Sequence, residues 1–284
     1  MSLQGLKKEF EKKFLSLACT RNRYEVFRDW ASIVAITCHQ SVMNSGVLSK
    51  NETYERYEQL YLEQVKSYDR DTLTIFAQML GLVQSAFAEE KTDFLGEIHQ
   101  KLEIGWKDKG QFFTPYSLAK VQAMLTVSKE LLDAEIKKKG YVTVGEPAVG
   151  AGSLLIAVAD VIQELGYDPC RNMYFEAIDV DSLCCDMTYI QMCCLGIPGF
   201  VIHGNSLSMK TWESKSTPQL QLVQRYDEVN RVHKLYQFIQ EIEDSVSEEE
   251  ERLEGNTEKT EKTEKTEKIE YDITPRQLNL FEDL

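Results

Sequence analysis

Apolar residues fall three or four apart along the first hundred positions, as at Phe10, Phe14 and Leu17 and again at Phe76, Leu80, Val83 and Phe87. That spacing puts them on one face of a helix and predicts an all-helical domain over residues 1–105. From Tyr141 the period changes. Short apolar runs at Tyr141–Val144, Tyr174–Ile178 and Phe200–His203 alternate with longer stretches at Ser153–Leu165 and Ser182–Leu195, the order expected of strands and helices in a parallel α/β sheet. After the third run the alternation stops, and Tyr226, Val229, Val232, Leu235, Phe238, Ile239 and Ile242 mark one more amphipathic helix. Residues 106–243 thus read as an α/β domain with a C-terminal helix. The tail, residues 244–284, holds a low-complexity run from Glu248 to Glu270 that includes a repeated Thr-Glu-Lys triplet. Such a run buries too little apolar surface to offset its conformational entropy, which predicts disorder. Tyr54, Tyr57, Tyr61 and Tyr68 also follow helical spacing; a stacking surface for bases is one reading, and the inner face of an amphipathic helix is the favoured one.

Charge changes this picture little. The net charge is −14, which argues against tight autonomous binding of a polyanion, because affinity for DNA comes mostly from Lys and Arg on phosphates. Residues 241–270 carry 13 acidic and 5 basic side chains, so most of the excess belongs to the tail and the body is only mildly acidic. No run approaches the roughly 18 to 20 apolar residues of a membrane span, and the first residues lack the apolar core of a secretion signal, so a cytoplasmic location is expected. Seven cysteines, an odd number with two adjacent pairs at Cys184, Cys185 and Cys193, Cys194, suit a reducing compartment and free thiols. Those pairs lack zinc-ligand spacing, and His39, His99, His203 and His233 are scattered, so no metal site is expected.

The strongest chemical signal is EPAVGAG, Glu146 to Gly152, directly after a predicted strand and before a predicted helix. A glycine-rich turn there lets backbone approach a ligand, and the helix start offers unpaired N–H groups to negative charge. A dinucleotide site of the GxGxxG type needs a third glycine where this chain has Leu155. Asp179 ends the second predicted strand, where a carboxylate can accept hydrogen bonds from both ribose hydroxyls of a nucleoside. Asp181 is the reserve candidate for that role.

Taken with FLGEIHQKLEI and GQFFTP upstream and HGNSL downstream, these segments resemble the N6-adenine-specific DNA methyltransferases, especially the modification subunits of type I restriction systems. The resemblance covers about residues 93–209 in matching order and spacing. It implies a shortened Rossmann-like methyltransferase domain behind the helical one, and S-adenosylmethionine as cofactor. It also assigns Gln111, Phe112, Phe113, Thr114 and Pro115, with Glu146, Pro147, Ala148, Gly150 and Gly152, to the methionine end of that cofactor. Asp179 falls on the ribose position, with Asp181 in reserve. Asn205 falls where an acidic residue usually meets the cofactor's adenine, and an amide can still hydrogen-bond that ring.

The catalytic motif of the family is an Asn- or Asp-Pro-Pro-Tyr/Phe tetrapeptide, which aligns the poorly nucleophilic adenine N6 of a flipped base. None of the six prolines here is adjacent to another or preceded by Asn, and the one that follows an Asp, Pro169, precedes the second strand. No catalytic residue is assigned. A full methyltransferase sheet also needs about four more strands, whose loss leaves the first strand as an exposed edge. A short strand at Gln219–Val223, the helix from Tyr226 to Ile242 or a partner subunit would cover it, with internal covering favoured. Finally, Gln277, Leu278, Asn279, Leu280 and Phe281 resemble the pentapeptide that docks bacterial proteins into the sliding clamp, here on an extended tether. The expected function is a cofactor-binding protein of this family, linked to DNA modification or restriction, acting on DNA directly or through a partner subunit and inactive alone. The alternative is a catalytically dead regulatory or clamp-interacting protein of a mobile element.

Overall fold

A computed structural model describes residues 1–19, 21–104 and 113–227. Among the described residues seven helices precede the sheet: α1 (Leu3–Leu17), α2 (Arg23–Asn44), α3 (Glu52–Val65), α4 (Arg70–Glu89), α5 (Phe94–Lys101), α6 (Tyr116–Thr126) and α7 (Lys129–Lys139). Their starts are written in the sequence. Ser2, Asn22, Asn51, Asp69, Asp93 and Ser128 each accept a hydrogen bond from a backbone N–H in the first turn of the helix that follows, satisfying donors that the helix cannot pair internally. The inward faces meet around the fully buried Trp30, whose ring packs against Phe10 and Phe27 and whose indole N–H donates to the Phe76 carbonyl at 3.1 Å. Tyr54 and Tyr57 are buried and Tyr61 and Tyr68 partly so, as core packing requires.

The α/β part runs β1 (Val142–Glu146), α8 (Ser153–Glu164), the one-turn α9 (Pro169–Asn172), β2 (Met173–Asp179), α10 (Ser182–Leu195), β3 (Gly199–Asn205) and β4 (Lys210–Ser216). Sheet order is β1-β2-β3-β4; the first three strands are parallel and β4 returns antiparallel along β3. The expected strand at Gln219–Val223 is not there. Residues 218–227 are helical, with Thr217 capping them (Leu220 N–H to Oγ1, 3.4 Å) and Pro218 at the first helical position, where its missing N–H costs nothing. The extra strand is β4, and it lies at the far end of the sheet from β1. Among the described residues the β1 edge therefore pairs with no strand. Most of the predicted helix Tyr226–Ile242, the disordered-tail expectation and the QLNLF segment lie outside the described residues.

Residues 1–228 form one compact unit. The helical residues and the sheet share a single core running from Leu6 to Val201, so the expected boundary near residue 105 is not a break in packing. The link is α10, which packs on β2 and β3 and also on α2, α4 and α5. Cys184 and Cys185 are buried on it. Among the described residues no helix is long and apolar enough to cross a membrane.

Candidate cofactor site

The turn between β1 and α8 is built on two left-handed glycines, Gly150 at φ +56° and Gly152 at φ +97°. A side chain at either is strained by the backbone alone. Space is tight as well. A Cβ on Gly150 would stand 3.1 Å from the Phe113 ring, and one on Gly152 3.1 Å from Thr188 Oγ1. Gly152 occupies the N-cap position of α8 and offers no side chain to its first turn; beside it the buried Ser153 hydroxyl has no hydrogen-bond partner. Unpaired donors at a helix start next to an unpaired hydroxyl suit a polar ligand group.

Asp179 closes the turn from the neighbouring strand. Its Oδ2 accepts from Gly150 N–H and its Oδ1 from Asp181 N–H, both at 2.9 Å. Each oxygen keeps a second lone pair for a ligand hydroxyl. Asp181 acts on the helix instead, where its carboxylate accepts from Leu183 N–H at 2.9 Å and caps α10. At the end of β1 the Glu146 carboxylate accepts from Ala148 N–H at 3.2 Å, with Pro147 and Ala148 exposed. Asn205 turns its amide oxygen inward, where it accepts from Leu207 and Ser208 N–H at 3.0 Å each. Only its NH2 group remains for a ligand, so the acceptor role that an acid would fill there is lost. Val180 and Leu207 are 56% and 95% exposed beside Asp179 and Asn205.

Of the segment upstream, Gln111 and Phe112 lie outside the described residues. Phe113 is held over the glycine turn: its carbonyl accepts from Gln100 Nε2 at 2.9 Å, and its ring packs on His99 at 5.1 Å between centroids. Burial pushes His99 down to about 4, against a smaller opposing pull from Asp181, so it is neutral at physiological pH. Thr114 is exposed and Pro115 stands at the N-cap of α6.

Behind the turn, α10 supplies the support. Thr188 Oγ1 donates to the Gly150 carbonyl at 2.8 Å, and the fully buried Gln191 donates to the Ala151 carbonyl at 2.6 Å. Gln191 also donates to Asp93 Oδ1 at 2.9 Å and accepts from Leu95 N–H at 3.0 Å, tying the start of α5 to the glycine turn. Polar residues three apart on the buried face of a helix were the sequence signal for Thr188 and Gln191. Burial raises the Asp93 carboxyl to about 6, although hydrogen bonds from Gln191 and Gly96 pull the other way. An unfolded Asp titrates near 3.9. The folded protein therefore holds a proton that the unfolded chain has released, and this contribution is full below about pH 4 and is lost as pH rises through about 6. Asp93→Asn keeps the acceptor for Gly96 without the charge. Relative to the parent it should gain roughly 2 kcal/mol between pH 4 and pH 8, read from urea unfolding at both values. A pH-independent difference would mean that the carboxyl is not strained.

A family model described as N-6 DNA methylase matches residues 93–266. The chain belongs to this family. No curated protein matches it. Among solved structures it is similar to a Listeria monocytogenes protein described as a class I S-adenosylmethionine-dependent methyltransferase, at 18% identity over 64% of this chain and 54% of that one, with a TM-score of 0.34. The chain thus spans about half the length of that protein. The family implies S-adenosylmethionine as cofactor, and the turn fits such a ligand, with glycines at positive φ, open N–H groups at α8 and a carboxylate with free lone pairs at the end of β2.

Proposed function

We propose that this N-6 DNA methylase family member binds S-adenosylmethionine at the glycine turn, serves DNA modification or restriction, and transfers no methyl group as an isolated chain. The observation that carries the binding half is the Asp179 carboxylate, fixed by Gly150 N–H at 2.9 Å with lone pairs to spare. In this reading Asp179 takes the ribose hydroxyls, while Asp181 serves it indirectly by capping α10. Glu146, Gly150 and Gly152, with Phe113 to Pro115, surround the methionine end, a role that the sequence resemblance extends to Gln111 and Phe112. Asn205 offers its NH2 to the adenine ring. The bound cofactor would supply an electrophilic methyl group; the chain's own residues bind and orient it.

The missing tetrapeptide supports inactivity alone, since the family orients adenine N6 with that motif and this sequence holds no Asn- or Asp-Pro-Pro run. DNA is then reached directly or through a partner subunit that completes the sheet. Two features favour such a partner: the β1 edge, which pairs with no strand among the described residues, and an exposed apolar stripe at helical spacing on α6, with Leu118 and Val121 at 51% and Leu125 at 82% exposure. The experiment is a calorimetric titration of S-adenosylmethionine, followed by incubation with labelled cofactor and unmethylated DNA. Binding without transfer is expected, and transfer by the chain alone would overturn the second half.

A second reading rests on QLNLF. Here the protein is a dead regulator of a mobile element that rides on the bacterial sliding clamp through Gln277 to Phe281 in the cytoplasm. Deleting residues 277–284 should then abolish affinity for a bacterial clamp; unchanged affinity, or none to begin with, refutes it.

A further inference from the structure

Among helices α1 to α10 only α6 and α8 start without a side-chain cap, at Pro115 and Gly152. These are the two helices that follow the segments assigned to the cofactor's methionine end, and they pack on each other. What fixes the start of α6 is a set of bonds to α8. The Tyr116 hydroxyl donates to Asp160 Oδ2 at 2.9 Å. Lys120, one turn on, donates to the same oxygen at 2.5 Å and stands 2.9 Å from Glu164. Burial and the nearby Asp160 push the Tyr116 hydroxyl up, so it stays a donor at physiological pH. The Lys120 and Asp160 side chains are 18% and 26% exposed, which sets this pair apart from freely solvated ion pairs of little worth.

The place of this anchor gives it a reach. Asp160 lies eight residues into α8 from Gly152, about 12 Å along the axis. Phe113, Thr114 and Pro115 lead back from Tyr116 towards the glycine turn, and three residues span at most about 10 Å. The Phe113 ring makes up the rest, standing 3.1 Å from where a Cβ on Gly150 would be. At its other end the strap is held by Gln100 Nε2 on the Phe113 carbonyl at 2.9 Å. So short a strap has little slack, and a shift of α6 along α8 moves it over the turn.

We propose that Tyr116, Asp160 and Lys120 are positioning residues for the methionine end of the cofactor, anchoring the strap from Phe113 to Pro115 over the glycine turn. None of the three needs to touch the ligand. The proposal rests on the reading that S-adenosylmethionine binds at that turn.

The test compares two ligands by calorimetry on the full chain: S-adenosylmethionine, and 5′-methylthioadenosine, which keeps the nucleoside and lacks the amino-acid end. Tyr116→Phe removes one hydroxyl, Asp160→Ala removes the shared acceptor and Asp160→Asn keeps an acceptor for Tyr116; thermal melts check that each folds. Tyr116→Phe and Asp160→Ala should weaken S-adenosylmethionine roughly tenfold, the scale of one hydrogen bond to an ionised group, and leave 5′-methylthioadenosine unchanged. Asp160→Asn should recover most of the loss. Equal weakening of both ligands would mean that these residues only stabilise the fold, and affinities indifferent to all three substitutions would mean that the strap needs no anchor; either result overturns the proposal and leaves cofactor binding intact. A parent chain that binds neither ligand up to millimolar concentration overturns the reading of the turn and the anchor with it.

Discussion

Asp179→Ala should lower the affinity for S-adenosylmethionine by at least a hundredfold, enough to remove the calorimetric signal at micromolar protein. Two losses combine. Each hydrogen bond from a ribose hydroxyl to an ionised carboxylate contributes about 1.5–3 kcal/mol, and two of them already account for about a hundredfold. The second loss is local. The same carboxylate holds Gly150 N–H at 2.9 Å, in a turn whose glycine at φ +56° has little else to fix it besides Thr188 on the carbonyl side. Asp179→Asn retains one acceptor, for either the turn or the ribose, and should retain part of the affinity. Binding by the alanine variant as tight as the parent's would place the cofactor elsewhere.

Lys215→Met should cost about 3–5 kcal/mol of stability at neutral pH, the usual result of removing one partner of a buried ion pair. Lys215 is buried on β4 between Asp186 and Glu213. Burial works against its charge, but Asp186 and Glu213 more than offset this and hold its pKa above the ordinary lysine value. Without it, Asp186, 6% exposed, faces its burial alone. Burial already raises that carboxyl above the usual Asp value despite Lys215. A carboxyl whose pKa is raised on folding stabilises below its unfolded value and loses that contribution as pH rises. The deficit of the variant should therefore shrink as pH falls towards 4 in denaturant unfolding. Adding Asp186→Leu should recover most of the loss at pH 7. A deficit that neither acid nor the second substitution relieves would assign Lys215 a packing role only.

The parallel strands were legible because their side chains are buried on at least one face and capped helices separate them. The expected Ser182–Leu195 coincides with α10, and the expected Tyr174–Ile178 lies one residue inside β2 at each end. β4 was not legible. Its sequence, KTWESKS, is polar apart from Trp212, and its most buried residue is a lysine satisfied by carboxylates on β4 itself and on α10. Apolar alternation cannot report a strand stabilised in that way. The strand expected at Gln219–Val223 failed for the opposite reason: apolar residues drew attention while the Thr217-Pro218 helix start just before them went unweighed. At the site, Asp179 and the glycines stood out because backbone geometry demands those residue types. Gln191 and Asp93 did not, since their partners lie nearly a hundred residues apart along the chain.

One helix carries two loads. α10 touches the glycine turn through Thr188 and Gln191 and also packs on the N-terminal helices α2, α4 and α5. A partner that seated itself on those helices and shifted α10 would change the affinity of a cofactor held at the turn, and by thermodynamic reciprocity the cofactor would change that partner's affinity by the same factor. A cofactor titration with the partner present and a partner titration with the cofactor present would then return one coupling constant.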